Sequence, residues 1–222
     1  MKRSAKLIPV FIMLFLSISS FASKKTIVVS ASEQDAKIYK NGKLIGSGQV
    51  EIVIVSNSCA TIEVRKIGYL TQKVKFCNNK YSAKPPKAYF FEMSRDDSFD
   101  ASIRSDIANN DIELKTTKSM DEAWKLINQI VTSYFDVIEI TDKETGYLRT
   151  AWVAQSFKQN TIRTRFIVKQ ASTKPLTFKM KLVSEYSGSA GTSIKRDEQY
   201  REWDRVLRKY ANIISELTTR LK

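Results

Sequence analysis

Short alternating runs dominate the first third of the chain. Residues 26–30 form a β-branched run, and residues 51–55, 61–66 and 73–76 alternate apolar with polar positions. A period of two predicts strands with one buried face. Residues 36–39 and 44–45 flank Asn41-Gly42, with Lys40 and Lys43 outside it. Asn-Gly between short apolar segments predicts a tight hairpin, because both residues accept positive φ. Gly46-Ser47-Gly48 and Gly68-Tyr69 mark further turns. The spacing predicts six short strands, a small all-β sandwich over residues 23–77.

Residues 78–87 are polar and end in Pro85-Pro86. Two prolines stiffen a segment and keep its neighbours out of helix, which predicts a linker. Residues 88–222 then read as a second domain. It opens with a strand at 88–93, a loop or short helix at 94–111 and a strand at 112–115. Ser119-Met120-Asp121-Glu122 is a capping box, followed by Trp124, Ile127, Ile130, Val131 and Tyr134 at helical spacing. Strands are predicted at 137–141, 146–153, 161–168 and 176–183, with a flexible Gly/Ser-rich segment at 187–193. Tyr200, Trp203, Val206, Leu207, Tyr210, Ile213, Ile214, Leu217 and Leu221 predict one long helix over 197–221. Two amphipathic helices on one face of an antiparallel sheet make a two-layer α+β domain.

Two resemblances sit on this layout. Ser32-Glu33-Gln34-Asp35-Ala36, then Ile38-Tyr39-Lys40-Asn41-Gly42-Lys43, Gly46 and Gly68-Tyr69, resemble the PEGA domain over residues 26–77. Glu33 and Asp35 stand where that family has Pro and Gly. The resemblance implies an extracytoplasmic β-sandwich that serves as an envelope interaction module. In the second domain, Asp142, then Gly146-Tyr147-Leu148-Arg149-Thr150-Ala151-Trp152 and Arg163-Thr164-Arg165, are similar to a helix-grip domain. That domain occurs in the accessory lipoprotein of the outer-membrane barrel-assembly machinery. It implies a periplasmic interaction domain without catalysis.

The chain's start predicts export. Lys2, Arg3 and Lys6 precede an apolar run at 7–18, and Ser20-Phe21-Ala22 places small residues for cleavage after Ala22. The run is short for a bilayer span, and the alternative is a retained anchor. No later stretch is long and apolar enough to span a membrane, so a mature chain without a transmembrane segment is expected. Of 37 Lys and Arg, the leader holds three, leaving 34 against 23 acidic residues and a net charge of +11. Cys59 and Cys77 are the only cysteines. In an oxidising compartment they predict a disulfide.

Charge and residue types then narrow the function. The chain has no histidine, which removes the commonest general base and metal ligand. No cofactor and no metal site are expected. Alternation places Arg149, Arg163, Arg165, Lys179 and Lys181 on the sheet face opposite the apolar set, with Leu148 and Trp152 on the apolar side. Such a face is either an ordinary solvated surface or a site for an anionic partner. The partner would be an acidic protein segment, peptidoglycan or lipid phosphate. Nucleic acid is excluded by export and by the lack of a motif. The expectation is a secreted, periplasmic, non-enzymatic binding or scaffolding protein of the envelope. The alternative is an envelope hydrolase acting on glycan or peptide through Asp96, Asp97, Asp100, Asp106 and Asp111. These aspartates equally suit turns and a helix cap. Trp124 and Trp203 are read as core.

Overall fold

The computed structural model describes residues 24–222, so the predicted leader at 1–22 lies outside the described residues. The chain divides into two compact units. The first comprises residues 24–63 with Lys73–Phe91, and the second comprises Val64–Gln72 with Glu92–Lys222. The fold is mixed, a β unit and an α+β unit.

The first unit is built from β1 (Lys24–Ala31), β2 (Lys37–Lys40), β3 (Lys43–Ser47), β4 (Gln49–Val55), β5 (Ser58–Arg65), β6 (Gln72–Asn78) and β7 (Ala88–Phe91). Two sheets form, with orders β4-β1-β7 and β3-β2-β5-β6. Each turns one apolar face inward, with Ile27, Val29, Ile52 and Ile54 on one and Ile38, Ala60, Ile62 and Phe76 on the other, all buried. Asn41 and Gly42 both have positive φ, 50° and 82°, as the hairpin requires. Cys59 and Cys77 form a disulfide between the neighbouring strands β5 and β6.

The expected boundary at 78–87 needs correction. Residues 88–91 do not open the second domain. They form β7, which pairs in parallel with β1 and buries Phe91. An edge strand supplied after a proline-rich crossover satisfies β1's open side.

The second unit contains α1 (Asp97–Asp100), β8 (Ser102–Arg104), β9 (Ile112–Thr116), α2 (Met120–Tyr134), β10 (Ile138–Asp142), β11 (Tyr147–Thr150), β12 (Val153–Ser156), β13 (Thr161–Thr173), β14 (Leu176–Tyr186), β15 (Arg201–Glu202), β16 (Arg205–Leu207) and α3 (Ile213–Leu221). The main sheet runs β10-β11-β13-β14-β15, with β12 also on β13 and β9 also on β14. Its ladders are antiparallel. The capping box of α2 is formed, and Trp124, Ile127, Ile130 and Val131 face the core. That core also takes Phe166, Val168, Phe178, Met180 and Leu182 from the sheet and Ile213, Ile214 and Leu217 from α3.

The long helix predicted over 197–221 is not formed. Only residues 213–221 are α-helical. Arg201–Glu202 pair with the end of β14, and Arg205–Leu207 pair with β8. Tyr200, Val206, Leu207 and Tyr210 are buried all the same. Apolar residues three apart satisfy short strands and 3₁₀ turns as well as helix, so burial was legible and the period misleading.

Candidate functional site

The outer face of the main sheet is set by register. In β13, Ile162, Thr164, Phe166 and Val168 point to the core, and Arg163 and Arg165 point away. Arg163 lies opposite Glu185, Arg165 opposite Val183, and Ile167 opposite Lys181 on β14. Lys179 lies opposite Glu113 of β9. Arg149 lies opposite Ile167. All five predicted cations therefore share the face, but most already have counter-ions.

Arg149 Nε donates to Glu139 at 3.0 Å. Lys179 sits 3.4 Å from Glu113 and Lys181 3.1 Å from Asp111. These pairs are exposed and contribute little, up to about 1 kcal/mol each. Arg163 differs in kind. It is 3% exposed. Its Nε donates to Glu185 at 2.6 Å, and its Nη1 donates to the Ile194 carbonyl at 2.7 Å and to Asp197 at 2.5 Å. A buried arginine so fully satisfied positions the chain rather than waiting for a ligand.

What covers Arg163 is the segment after β14. Thr161 Oγ1 donates to the Ser189 carbonyl at 2.8 Å and accepts from Thr192 N–H at 3.1 Å. Tyr200 OH donates to the Thr192 carbonyl at 2.9 Å. The Gly/Ser-rich stretch, read as flexible, is thus hydrogen-bonded over the start of β13. The Arg163 end of the expected open face is closed by it.

Trp152 corrects a second expectation. Alternation from Leu148 places it in the core, but it lies on the cationic face. Arg149 pairs with Ile167 and Val153 with Thr164. Four steps along one strand thus match three along the other, a one-residue bulge. Such a bulge reverses the facing of everything beyond it. Thr150 Oγ1 stands in for a ladder acceptor there, taking the Phe166 N–H at 2.9 Å. The Trp152 ring then lies 4.2 Å from each of the Arg163 and Arg165 guanidinium carbons, and Arg163 also lies 4.0 Å from the Tyr200 ring. The four side chains form a continuous series of ring and guanidinium contacts.

Arg165 is the exception among the five. It has no carboxylate partner, and its Nε is buried without a hydrogen-bond acceptor among the described residues. Burial holds its pKa below the ordinary arginine value, with Arg149 and Arg163 adding repulsion and Glu185 and Glu139 opposing it. A guanidinium stays charged even so. The result is a half-buried cation stacked on tryptophan with donors to spare.

The acidic residues weighed for catalysis each have a place in the fold. Asp96 caps α1, accepting from Ser98 N–H at 2.9 Å and Ser98 Oγ at 2.6 Å. Asp97 accepts from Lys158 N–H at 3.2 Å. Asp100 pairs with Arg95, and Asp111 with Lys181. Asp106 lies in the turn whose carbonyl receives Asn110. Among the described residues no three acidic or cysteine side chains gather as a metal site. Also among them, no helix is long and apolar enough to cross a membrane. Trp124 is core, as read, and Trp203 packs against it. Sequence reading missed Glu185, Asp197 and Tyr200 as partners of Arg163. The first follows from counting back along the β13–β14 hairpin, but only once the bulge near Ala171 is known.

The chain matches no family model and no curated protein.

Proposed function

We propose that the chain is a non-enzymatic binding or scaffolding protein of the cell envelope, exported by its leader and cleaved after Ala22. In this reading the first unit is a PEGA-like module and the second a helix-grip-like one. The Cys59–Cys77 disulfide supports an oxidising compartment. The contact surface is the open part of the cationic face, and its ligand carries carboxylates, as acidic protein segments and peptidoglycan stems do. The observation that carries this is Arg165, the one of the five predicted cations with no carboxylate partner among the described residues, its guanidinium carbon 4.2 Å from the centre of the Trp152 ring. Guanidinium forks recognise carboxylates bidentately, and a stacked one is already oriented for it.

The test is binding of the chain from Ser23 onward to purified peptidoglycan sacculi and to a glutamate-rich peptide, read by co-sedimentation and tryptophan fluorescence. Arg165→Gln should weaken binding about ten-fold or more, as expected for a charge-assisted bond, and flatten its salt dependence. Arg163→Gln should instead lower thermal stability, because it removes a buried guanidinium that ties the half-buried Glu185 to the Ile194 carbonyl and Asp197. Wild-type affinity in a folded Arg165→Gln chain would refute the reading.

A further inference from the structure

Charge is unevenly spread along the chain. Residues 24–91 carry twelve basic and four acidic side chains, a net +8, and residues 92–222 carry 22 and 19, a net +3. Within the sandwich, acids and lysines mix at one end, where Lys37 opens β2 and Lys73 lies near the start of β6. Glu33 and Asp35 follow the end of β1, with Ser32 N–H bonded to the Phe91 carbonyl beside them. The opposite end, where β1 begins, is about 26 Å away along an eight-residue strand.

Lysines collect at that opposite end. Lys24 and Lys25 open β1, and Lys24 lies opposite Val55. Lys40 and Lys43 flank the hairpin tip, and Lys40 Nζ donates to the Val53 carbonyl at 2.7 Å. The Asn57 N–H bonds to the Asn78 carbonyl at 2.7 Å, which brings Lys80 to the same end. Lys24, Lys25, Lys43 and Lys80 are exposed, and none has a carboxylate partner among the described residues. Apolar side chains stand among them. Leu44 is 49% exposed, Val53 42%, Val55 44% and Tyr81 87%. The acids on the neighbouring strands are Glu51, two residues from Val53 on β4, and Glu63, two residues from Thr61 on β5.

We propose that this end of the sandwich docks on an anionic lipid bilayer, the lysines meeting headgroup phosphates and the exposed apolar side chains entering the interface. An isolated exposed valine means nothing. Apolar residues and an aromatic ringed by unpaired lysines at one end match the demands of a lipid interface. The sequence adds an independent reason. Lys24 follows the apolar run at 7–18 by six residues, so the chain enters the sandwich at this end. Cleavage after Ala22 leaves an α-amino cation there, and a retained run would hold the same end against the membrane.

The test uses the chain from Ser23 onward and vesicles of phosphatidylcholine with or without 30% phosphatidylglycerol, at about 0.1 M salt. Each lysine near an anionic leaflet contributes about five-fold in partitioning, so replacing Lys25, Lys43 and Lys80 together with Gln should cost about a hundred-fold. A matched triple, Lys115, Lys174 and Lys209 to Gln, removes the same charge from the second unit and should leave partitioning within a few-fold of wild type. Arg165→Gln should bind vesicles normally, which separates this surface from the one proposed above. Equal partitioning onto neutral and anionic vesicles would overturn the proposal. So would equal losses in the two triples, or retention on an anionic polysaccharide with none on vesicles.

Discussion

Tyr210 shows how one buried side chain ties stability to pH. It is 2% exposed and stacks on Phe135, with centroids 4.6 Å apart and planes 5° from parallel. Burial, helped by Asp136, pushes its pKa up to about 12. Burial likewise raises Tyr134 and Tyr200. A raised pKa means that the folded state holds the proton more tightly. The stabilisation is therefore complete below the unfolded value near 10 and drains away as pH climbs to about 12. For Tyr210 the loss is on the order of 2–3 kcal/mol. Urea midpoints at pH 9 and pH 11.5 should differ accordingly, and Tyr210→Phe should shrink the gap. Identical midpoints in wild type would contradict this. At this scale the sequence revealed the five cations and their common face, because alternation is local. It hid their partners. Glu185 and Asp197 are 22 and 34 residues from Arg163, and only the bulged register brings the former into place.

Elements with their own local signal formed as read. The Asn41-Gly42 turn and the Ser119–Glu122 box need only a few neighbouring residues to specify them. Elements defined by distant contacts did not. Trp152 left the core because of a single extra residue, and residues 200–210 made edge pairings to β14 and β8 in place of helix. The disulfide belongs to the legible class, since two cysteines allow one pairing. It ties β5 to β6 across a separation of 18 residues. Constraining a loop of that size stabilises by about 3 kcal/mol in the chain-entropy model. A small sandwich has little else in reserve. Cys59→Ser with Cys77→Ser should thus lower the midpoint of the first unit sharply in thermal or urea unfolding, and reductant should do the same to wild type. A reductant-insensitive melt would show that the bridge contributes nothing.

For the whole molecule, the decisive fact is that the chain passes between its units three times, at residues 63/64, 72/73 and 91/92. A cut at Pro85-Pro86, where composition suggests one, damages both sides. Residues 23–87 lose β7 and with it Phe91, which is 1% exposed. Removing a buried phenylalanine alone costs about 3–5 kcal/mol, most of the stability of a domain this small. Residues 88–222 lose the segment Val64–Gln72, whose middle joins β5 to β6. That segment gives Leu70 N–H to the Ser94 carbonyl at 2.9 Å and takes Asp96 N–H on Gly68 at 3.0 Å. Gly68 has a φ of +80°, and a Cβ there would meet Phe99 at 3.3 Å, so the approach is close enough to need glycine. Without the segment, Arg95 loses Tyr69 and Phe99 its cover. Expressed separately, the two fragments should each lack the cooperative thermal transition of the intact chain by circular dichroism. A cooperative melt from residues 23–87 alone would mean that β7 is an accessory of the sandwich, and that the proline segment divides the molecule after all.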